Sequence, residues 1–286
     1  MAESLRENSD DAWNWSERAA KWRHWHPTLT EWWRGVTDLL IEWTEPASGM
    51  RVLDLASGTG EPALSLAPRV GPDGTVTATD VIPEMVAIAV ENATEQGITN
   101  MRFQQADAGA LPFPDASFDR VTCRFGVMYF PDVPRALGEV RRVLRPGGRA
   151  VFAVGGPLEQ IDYLTSTLAV LLRYQTNPPL TPDPDAPHPL KFAPAGKLSA
   201  ALRAAGFAAI REETQIVPLP WPGTPEEFLG YIRSDMVTFD TLLLRIPPVQ
   251  QTTALDEVFT SIRQYDDGEC VQFSAAIIVA SATRAS

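Results

Sequence analysis

The chain has 286 residues, of which 44% are hydrophobic and 21% are charged, so the composition excludes a disordered chain and a fibrous repeat. The formal net charge is −12, which disfavours nucleic acid and anionic lipid as partners. No apolar run reaches the ~20 residues that a membrane span needs, and the acidic first residues lack a secretory signal. We therefore expect a cytoplasmic protein of one domain with additions.

An apolar stripe with helical spacing comes early in the chain and predicts an amphipathic helix. Its members are Leu29, Trp32, Trp33, Val36, Leu39, Leu40 and Trp43. Thr28 and Glu31 have the spacing of a capping box after Pro27, so we predict that this helix begins at Thr28. A shorter helix is predicted before it, over Asp11–Trp25. The two helices form a predicted N-terminal cap, residues 1–45.

From Met50 onwards, short apolar runs alternate with helical segments, which is the pattern of βαβ units and a parallel sheet. The predicted strands are Arg51–Leu55, Thr75–Asp80, Met101–Gln105, Phe118–Arg124 and Gly148–Val154. The predicted helices between them lie near Glu61–Arg69, Pro83–Gln96 and Val133–Leu144. Residues 46–156 are therefore predicted to form an α/β core.

The remaining chain is predicted to add a flap and to complete the same domain. Its predicted elements are helices near Leu158–Tyr174 and over Ala195–Ala205, and strands at Ala209–Val217 and Cys270–Ser281. Asn177–His188 is rich in proline, which fits neither a helix nor a central strand, so a loop or mobile flap is expected within residues 157–205. Residues 206–286 hold the last two strands around a helical insertion.

The segment Val52–Ala63 predicts a ligand site, because a buried strand there breaks into a glycine-rich turn before a helix starts. The glycines alone also satisfy a dinucleotide fingerprint. Asp54 at the strand end would oppose a diphosphate and attract a cation, such as the ammonium or sulfonium of S-adenosylmethionine (SAM). Asp80 ends the second strand at the distance where an acid accepts both ribose hydroxyls, and an NAD site would have the same acid. Asp107 ends the third strand, where it could accept a hydrogen bond from an adenine amino group. An NAD site would not require this third acid.

These segments together resemble the class I SAM-dependent methyltransferases, in the ubiquinone/menaquinone-biosynthesis-like branch (methyltransferase type 11). The resemblance is carried by Val52–Glu61, Thr79–Met85, Ala106–Phe113, Phe118–Phe130 and Leu144–Gly148. It implies an α/β fold with a Rossmann-like, seven-stranded sheet, helices on both faces and a reversed last strand, for which Cys270–Ser281 is in the right place. The helical segments on either side of this core are predicted to add an N-terminal helical lid and C-terminal helical insertions.

Carried over onto this sequence, the resemblance implies a site for SAM, with S-adenosylhomocysteine (SAH) as the product of the cofactor. The residues concerned are Asp54, Ser57, Gly58 and Gly60 for the methionine part, Asp80 for the ribose, Val81 or Met85 for the adenine face, and Asp107 with Ala108 for the adenine edge. Arg124 and Phe125 would lie beside the methionine and the sulfonium, and Trp22 would lie over the cofactor.

The candidates for a general base are two histidines and one tyrosine. His24 and His26 lie in the predicted cap and Tyr129 follows the fourth strand, although each also fits a surface or packing role. No histidine stands at metal-ligand spacing with cysteine or a carboxylate cluster, so no metal site is predicted. Asn177–Leu180 matches the Asn-Pro-Pro signature of amino-group nucleic-acid methyltransferases. It lacks the aromatic residue and the position after the fourth strand, and we interpret it as a coincidence.

The sequence thus predicts an enzyme that transfers the methyl group of SAM to an O, N or C nucleophile of a small organic molecule. Seven of the eight tryptophans precede residue 44, which predicts an acceptor that is apolar or aromatic in part, under a lid formed by Asp11–Trp43. Two alternatives stay open. The same fold can use SAM for non-transfer chemistry such as a cyclisation, and a nicotinamide oxidoreductase would share the glycine-rich turn, although Asp54 and Asp107 disfavour it.

Overall fold

The computed structural model describes residues 15–175 and 186–285, which divide into two compact units. Within those limits, the helical unit consists of residues 15–32, 159–175 and 218–275. The sheet unit consists of residues 33–158, 186–217 and 276–285. The Asn-Pro-Pro match at Asn177–Leu180 and most of the predicted proline-rich flap lie outside the described residues.

The helices and strands alternate through the first half of the chain as a βαβ pattern requires. That half contains α1 (Trp15–Trp32), α2 (Arg34–Thr44), β1 (Arg51–Leu55), α3 (Ala63–Val70), β2 (Thr75–Asp80), α4 (Pro83–Glu95), β3 (Met101–Gln105), β4 (Phe118–Arg124), a 3-10 turn (Val127–Tyr129), α5 (Val133–Val143) and β5 (Leu144–Gly155). The second half contains a 3-10 turn (Leu158–Gln160), α6 (Asp162–Thr165), α7 (Leu168–Leu172), α8 (Lys197–Ala204), β6 (Ala208–Trp221), α9 (Pro225–Asp235), α10 (Val237–Leu244), α11 (Pro248–Arg263) and β7 (Val271–Thr283).

The strands of the described chain form one seven-stranded sheet in the order β3-β2-β1-β4-β5-β7-β6. The pairs β3–β2, β2–β1, β1–β4 and β4–β5 are parallel, and β7 runs antiparallel to β5. The α/β class and the reversed last strand are therefore confirmed. Asp54 in β1 is in register with Ala78 of β2 and Thr122 of β4, so the carboxyl ends of these three strands meet at one edge of the sheet.

Residues of β1 alternate between two apolar cores, because successive side chains of a strand point to opposite faces. Leu53 and Leu55 pack in one cluster with residues of α5 and α8, while Val52 packs in another with residues of α3. Helices thus cover both faces of the sheet around β1, as the resemblance implies, and four of the five residues of β1 are buried. The rigid centre of the sheet fixes where each strand ends, and those ends position the candidate site.

The predicted start of a helix at Thr28 is wrong. Helix α1 runs through Pro27 and ends at Trp32, and the helical conformation is interrupted at Trp33 before α2 begins. Trp32 is 1% exposed, and its Nε1 donates a hydrogen bond to the carbonyl oxygen of Leu219 at 3.0 Å. Truncating a buried tryptophan costs about 3–5 kcal/mol, which matches or exceeds the ~3 kcal/mol cost of proline inside a helix. Tertiary packing therefore outweighs the local capping signal.

The single helix predicted near Leu158–Tyr174 is also wrong, since α6 and α7 are short and separate. Ile161 pairs with Ala275 as a β-bridge, which keeps the backbone extended where the helix was expected to start. The Asp162 carboxylate accepts hydrogen bonds at 2.7 Å from both the backbone N–H and the hydroxyl of Ser274. These contacts to β7 determine where α6 begins.

The predicted N-terminal cap contains α1 and α2, of which α1 belongs to the helical unit and α2 to the sheet unit. The predicted domain limits and the role of this segment as a lid remain predictions. None of the helices within residues 15–175 and 186–285 is long and apolar enough to cross a membrane.

Candidate functional site

The glycine-rich turn after β1 is held by backbone hydrogen bonds and leaves space beside its glycines. Ser57 N donates to the carbonyl oxygen of Thr79 at 2.9 Å, which ties the turn to the end of β2. Gly60 has φ +122°, and a Cβ there would lie 2.7 Å from Leu64 Cδ1, so only glycine fits. Gly58 has φ +53°, and a Cβ there would meet no atom of the described chain within 4 Å. A ligand can therefore approach the backbone at Gly58.

Two non-glycine residues beside this turn adopt left-handed backbone conformations. Ala56 has φ +50° directly after β1, and Phe125 has φ +58° directly after β4. A Cβ on Gly126 would lie only 2.6 Å from Ala56 Cβ, so the two strand ends approach as closely as their atoms allow. Such conformations are uncommon for residues with a Cβ, and they cluster at ligand sites where the surrounding structure enforces them.

Asp54 is fully buried at the end of β1 and only partly satisfied. Its Oδ1 accepts a hydrogen bond from the Thr122 hydroxyl at 2.6 Å, whereas its Oδ2 has no hydrogen-bond partner in the part of the chain that the structure describes. Burial raises the pKa of this carboxyl to about 7, while the bond from Thr122 and the charge of Arg124 act in the opposite direction. A cation beside Oδ2 would complete its contacts and favour its ionised form.

Glu61 is a second buried acid at this place, and the sequence reasoning missed it as a site residue. It is 8% exposed, and its Oε2 makes no hydrogen bond to any described residue. Burial raises the pKa of Glu61, while the charge of Arg124 lowers it. Burial in turn lowers the pKa of Arg124, and the charges of Glu61 and Asp54 raise it. Two acids therefore share one arginine.

Helix α2 supports this arginine and the aromatic residue next to it. Arg124 Nη1 donates a hydrogen bond to the Thr37 hydroxyl at 2.6 Å. The ring of Trp33 packs edge-on against Phe125, with 4.9 Å between the ring centroids. Thr37 lies on the buried face of α2 and was not among the predicted site residues, because nothing in the local sequence indicates a partner 87 positions away.

Asp80 at the end of β2 is held by backbone N–H groups. Its Oδ2 accepts from Gly58 N at 2.9 Å and its Oδ1 from Ile82 N at 3.0 Å. It is 8% exposed; burial raises its pKa and these backbone hydrogen bonds lower it. The two adenine-face candidates differ, since Val81 is 55% exposed beside Asp80 whereas Met85 is 3% exposed on the buried face of α4.

Asp107 follows β3 and is exposed. Its Oδ1 accepts a hydrogen bond from Gly109 N at 2.8 Å. Ala106 N donates to the carbonyl oxygen of Asp80 at 3.0 Å, which ties the ends of β2 and β3 together, and Ala108 is half-buried. The sheet unit therefore has Asp54, Asp80 and Asp107 at or just after the carboxyl ends of β1, β2 and β3, which are adjacent in the sheet.

The other predicted residues fall in different surroundings. Ser57 is buried in the glycine-rich turn, and Tyr129 is half-buried in the 3-10 turn after β4. The helical unit contains His24, which is exposed, and His26 and Trp22, which are half-buried. No group of three or more His, Cys, Asp or Glu side chains within residues 15–175 and 186–285 is arranged to hold a metal ion.

The carboxylates of the sheet unit fit a ligand that has a cation, a diol and an amino-purine. The unpartnered buried oxygens of Asp54 and Glu61 suit an ammonium, because a buried carboxylate needs a compensating charge or hydrogen bond. The open space at Gly58 allows a chain to pass over the turn. Asp80 retains acceptor capacity for hydroxyls, and the exposed Asp107 for an amino group.

Comparisons with known proteins agree with this geometry. Residues 52–148 match the family model described as "Methyltransferase domain". The chain is 48% identical over 120 residues to demethylmenaquinone methyltransferase of Thermus thermophilus, a match over 42% of this chain and 52% of that protein. It is 31% identical over 217 residues to nocamycin O-methyltransferase of Saccharothrix syringae, a match over 73% of this chain and 76% of that protein.

The crystal structure of YcgJ from Bacillus subtilis has the same fold, with a TM-score of 0.56 at 24% identity over 87% of this chain and 98% of that one. The chain belongs to the class I SAM-dependent methyltransferases. Its matching core is similar to the ubiquinone/menaquinone-biosynthesis methyltransferases, with 45% identity over 101 residues to the UbiE protein of Bordetella avium, a match over 35% of this chain and 39% of that protein. The chain spans about half the length of the first curated relative that it matches.

Proposed function

We propose that this protein transfers the methyl group of SAM to an O, N or C nucleophile of a small organic molecule. The observation that carries the proposal is the pair of buried, unpartnered carboxylate oxygens, Asp54 Oδ2 and Glu61 Oε2, beside the open backbone at Gly58. A nicotinamide dinucleotide would bring a diphosphate to these acids, whereas SAM brings a cation.

Each part of the cofactor has a counterpart among the residues of the sheet unit. Asp54 and Glu61 would hold the ammonium, and the turn containing Ser57, Gly58 and Gly60 would hold the rest of the methionine part. The ribose would bind Asp80, and the adenine would lie between Val81 and the segment of Asp107 and Ala108. Arg124 and Phe125 would lie beside the methionine part, where α2 fixes their side chains.

SAM supplies a methyl group on a sulfonium, which is already electrophilic. The protein therefore has to align the acceptor with that methyl group and exclude water, which are the contributions of orientation and closure. A general base is needed only if the acceptor must lose a proton. His24, His26 and Tyr129 stay the candidates for that base, and a half-buried phenol or imidazole has the donor and acceptor groups for it.

The acceptor is proposed to be a small molecule that is apolar or aromatic in part. Two relatives are named as methyltransferases for small organic molecules, demethylmenaquinone and nocamycin. The net charge of −12 disfavours nucleic acid as the acceptor. The proposal places the reaction in the cytoplasm.

Calorimetry and product mass test the proposal in turn. SAH is expected to give a saturable binding heat with the wild-type chain, and NAD is expected to give none. The reverse result would contradict the cofactor assignment. A product heavier than its acceptor by one methylene unit supports transfer. An unchanged product mass with SAM bound would instead support a non-transfer reaction such as a cyclisation.

A further inference from the structure

Three polar side chains on one face of α5 contact the loop that follows β3. Arg135, Glu139 and Arg142 are spaced by four and three residues, so they share a face of this helix. The apolar side of α5 packs into the core of the sheet unit through residues such as Leu137 and Val140. The polar face is therefore held rigidly against the loop, residues 107–115.

The hydrogen bonds from α5 run to alternate residues of this loop. Arg135 Nε donates to the Gly109 carbonyl oxygen at 2.7 Å. Glu139 Oε2 accepts from Leu111 N at 2.8 Å, and Arg142 Nη2 donates to the Leu111 carbonyl oxygen at 2.9 Å. These bonds to the backbone of Gly109 and Leu111 hold the loop against α5.

Arg142 uses all five of its N–H donors here. Its Nη1 donates to the Phe113 carbonyl oxygen at 2.7 Å and to Asp115 Oδ1 at 2.8 Å. Its Nε and Nη2 form a bidentate pair with the Glu139 carboxylate at 2.7 and 2.8 Å, and Nη2 also donates to the Leu111 carbonyl oxygen. The pair lowers the pKa of Glu139 and raises that of Arg142, so both stay ionised. Lysine has three donors on one nitrogen and cannot replace this arrangement.

The fixed loop sets the position of Asp107. Gly109 lies between the α5 face and this acid: a Cβ on Gly109 would be 3.4 Å from Asp107 Oδ1 and 3.5 Å from Arg135 Cδ. Gly109 N donates to Asp107 Oδ1 at 2.8 Å, while its carbonyl oxygen accepts from Arg135. The direction of the Asp107 carboxylate therefore depends on a glycine that α5 holds.

We propose that Arg135, which holds Gly109, and Glu139 with Arg142, which hold the next residues of the loop, are positioning residues that keep Asp107 against the 6-amino group of the cofactor's adenine and thereby make the site selective for a 6-amino purine over a 6-oxo purine. This inference rests on the function proposed above. An amino group donates a hydrogen bond to a carboxylate, whereas a carbonyl oxygen at the same place repels it. A carboxylate that is free to turn away loses this discrimination, while one that is held in place keeps it.

The test is the ratio of two dissociation constants, one for SAH and one for its 6-oxo analogue, in which a carbonyl replaces the amino group. The wild-type chain is expected to prefer SAH by about tenfold or more, the effect of one charge-assisted hydrogen bond. Arg142→Lys keeps the positive charge but loses the five donors of the guanidinium. The preference of this variant for SAH is expected to fall most of the way to the preference of Asp107→Ala. The double variant, with Arg142→Lys and Asp107→Ala, is expected to have the same preference as Asp107→Ala alone, since both changes act on one contact.

Arg141→Lys is the matched control, because Arg141 lies beside Arg142 but donates to the Gly206 carbonyl oxygen at 3.1 Å. Its ratio is expected to equal the wild-type ratio. Glu139→Gln provides a second test if Arg142→Lys does not fold. Equal weakening of both ligands at an unchanged ratio would show a merely structural role and overturn the inference, as would a wild-type chain that binds both ligands equally. Failure of the wild-type chain to bind SAH would overturn the proposed function instead.

Discussion

The two ends of the candidate site hold their acids by different means. At the β1–β4 end, Asp54 and Glu61 are buried carboxylates that share Arg124, and each has one oxygen without a hydrogen bond to the described chain. At the β2–β3 end, Asp80 and Asp107 accept hydrogen bonds from backbone N–H groups of nearby loops. The first end therefore depends on a compensating charge, and the second depends on the geometry of the loops that donate these hydrogen bonds.

The order of the strands explains this difference. Strands β1 and β4 lie in the middle of the sheet, where helices cover both faces, so an acid at the end of β1 is desolvated. Strand β3 is at the edge and is mostly exposed or half-buried, so Asp107 stays in contact with water. A buried acid contributes strong but pH-dependent binding, whereas an exposed acid contributes the directionality of its hydrogen bond.

The largest effect is expected from Asp54→Asn, which keeps the shape but removes the charge at the buried end. Loss of a charge-assisted contact to the ammonium of SAH is expected to weaken binding about 100-fold, equivalent to about 2.7 kcal/mol. Titration calorimetry measures it. Asp119→Asn is the control, because Asp119 stands near the start of the neighbouring strand β4, away from the carboxyl ends of the strands, and accepts from Arg51 N. Equal affinities for Asp54→Asn and the wild-type chain would remove Asp54 from the site.

The same substitution is expected to stabilise the fold without ligand. The pKa of Asp54 is raised from 3.8 to about 7, so folding takes up a proton between about pH 4 and pH 7. The stability of the wild-type chain therefore falls across that window as pH rises, and the penalty is fully present above pH 7. The Tm advantage of Asp54→Asn over the wild-type chain should grow from pH 5 to pH 8. A constant difference would contradict the assignment of the raised pKa.

Asp80→Ala tests the β2–β3 end and is expected to weaken SAH binding about 30-fold, or about 2 kcal/mol. The ribose hydroxyls lose their acceptor, and the N–H groups of Gly58 and Ile82 lose theirs. The wild-type chain should prefer SAH over its 2′-deoxy analogue. That preference should vanish in Asp80→Ala and persist in Asp54→Asn. Its persistence in Asp80→Ala would place the ribose elsewhere.

The pH dependence of binding tests the raised pKa of Asp54 without mutation. With a pKa of about 7, Asp54 is about a tenth ionised at pH 6 and nine tenths ionised at pH 8. Affinity for SAH should therefore rise about tenfold across this range, because only the ionised form attracts the ammonium. Burial also raises the pKa of Glu61 and that of Asp80, and both act in the same direction. Asp54→Asn should have a flatter profile, and an equally steep one would identify another group.

The sequence predicted the sheet well because its signals are local. The predicted limits of β1, β2, β3 and β4 agree with the structure, since these short strand-like runs alternate with helical segments and turns. The predicted boundary between the first two helices was wrong because Trp32 packs against residues about 190 positions away, such as Trp221. Glu61 was missed for the same reason, as its burial beside Arg124 depends on the approach of β1 and β4 rather than on spacing along the chain.

The smallest effect distinguishes the two candidates for the adenine face. Val81 is 55% exposed, and Val81→Ala is expected to weaken SAH binding about threefold through lost apolar contact, with little change in Tm. Met85 is 3% exposed, so Met85→Ala is expected to lower the free energy of unfolding by about 2–5 kcal/mol and to leave the affinity of the folded chain unchanged. Calorimetry and thermal melts on both variants measure this. If Met85→Ala weakens binding while Val81→Ala does not, the adenine packs on α4, and exposure in the ligand-free chain is then a poor guide to this end of the site.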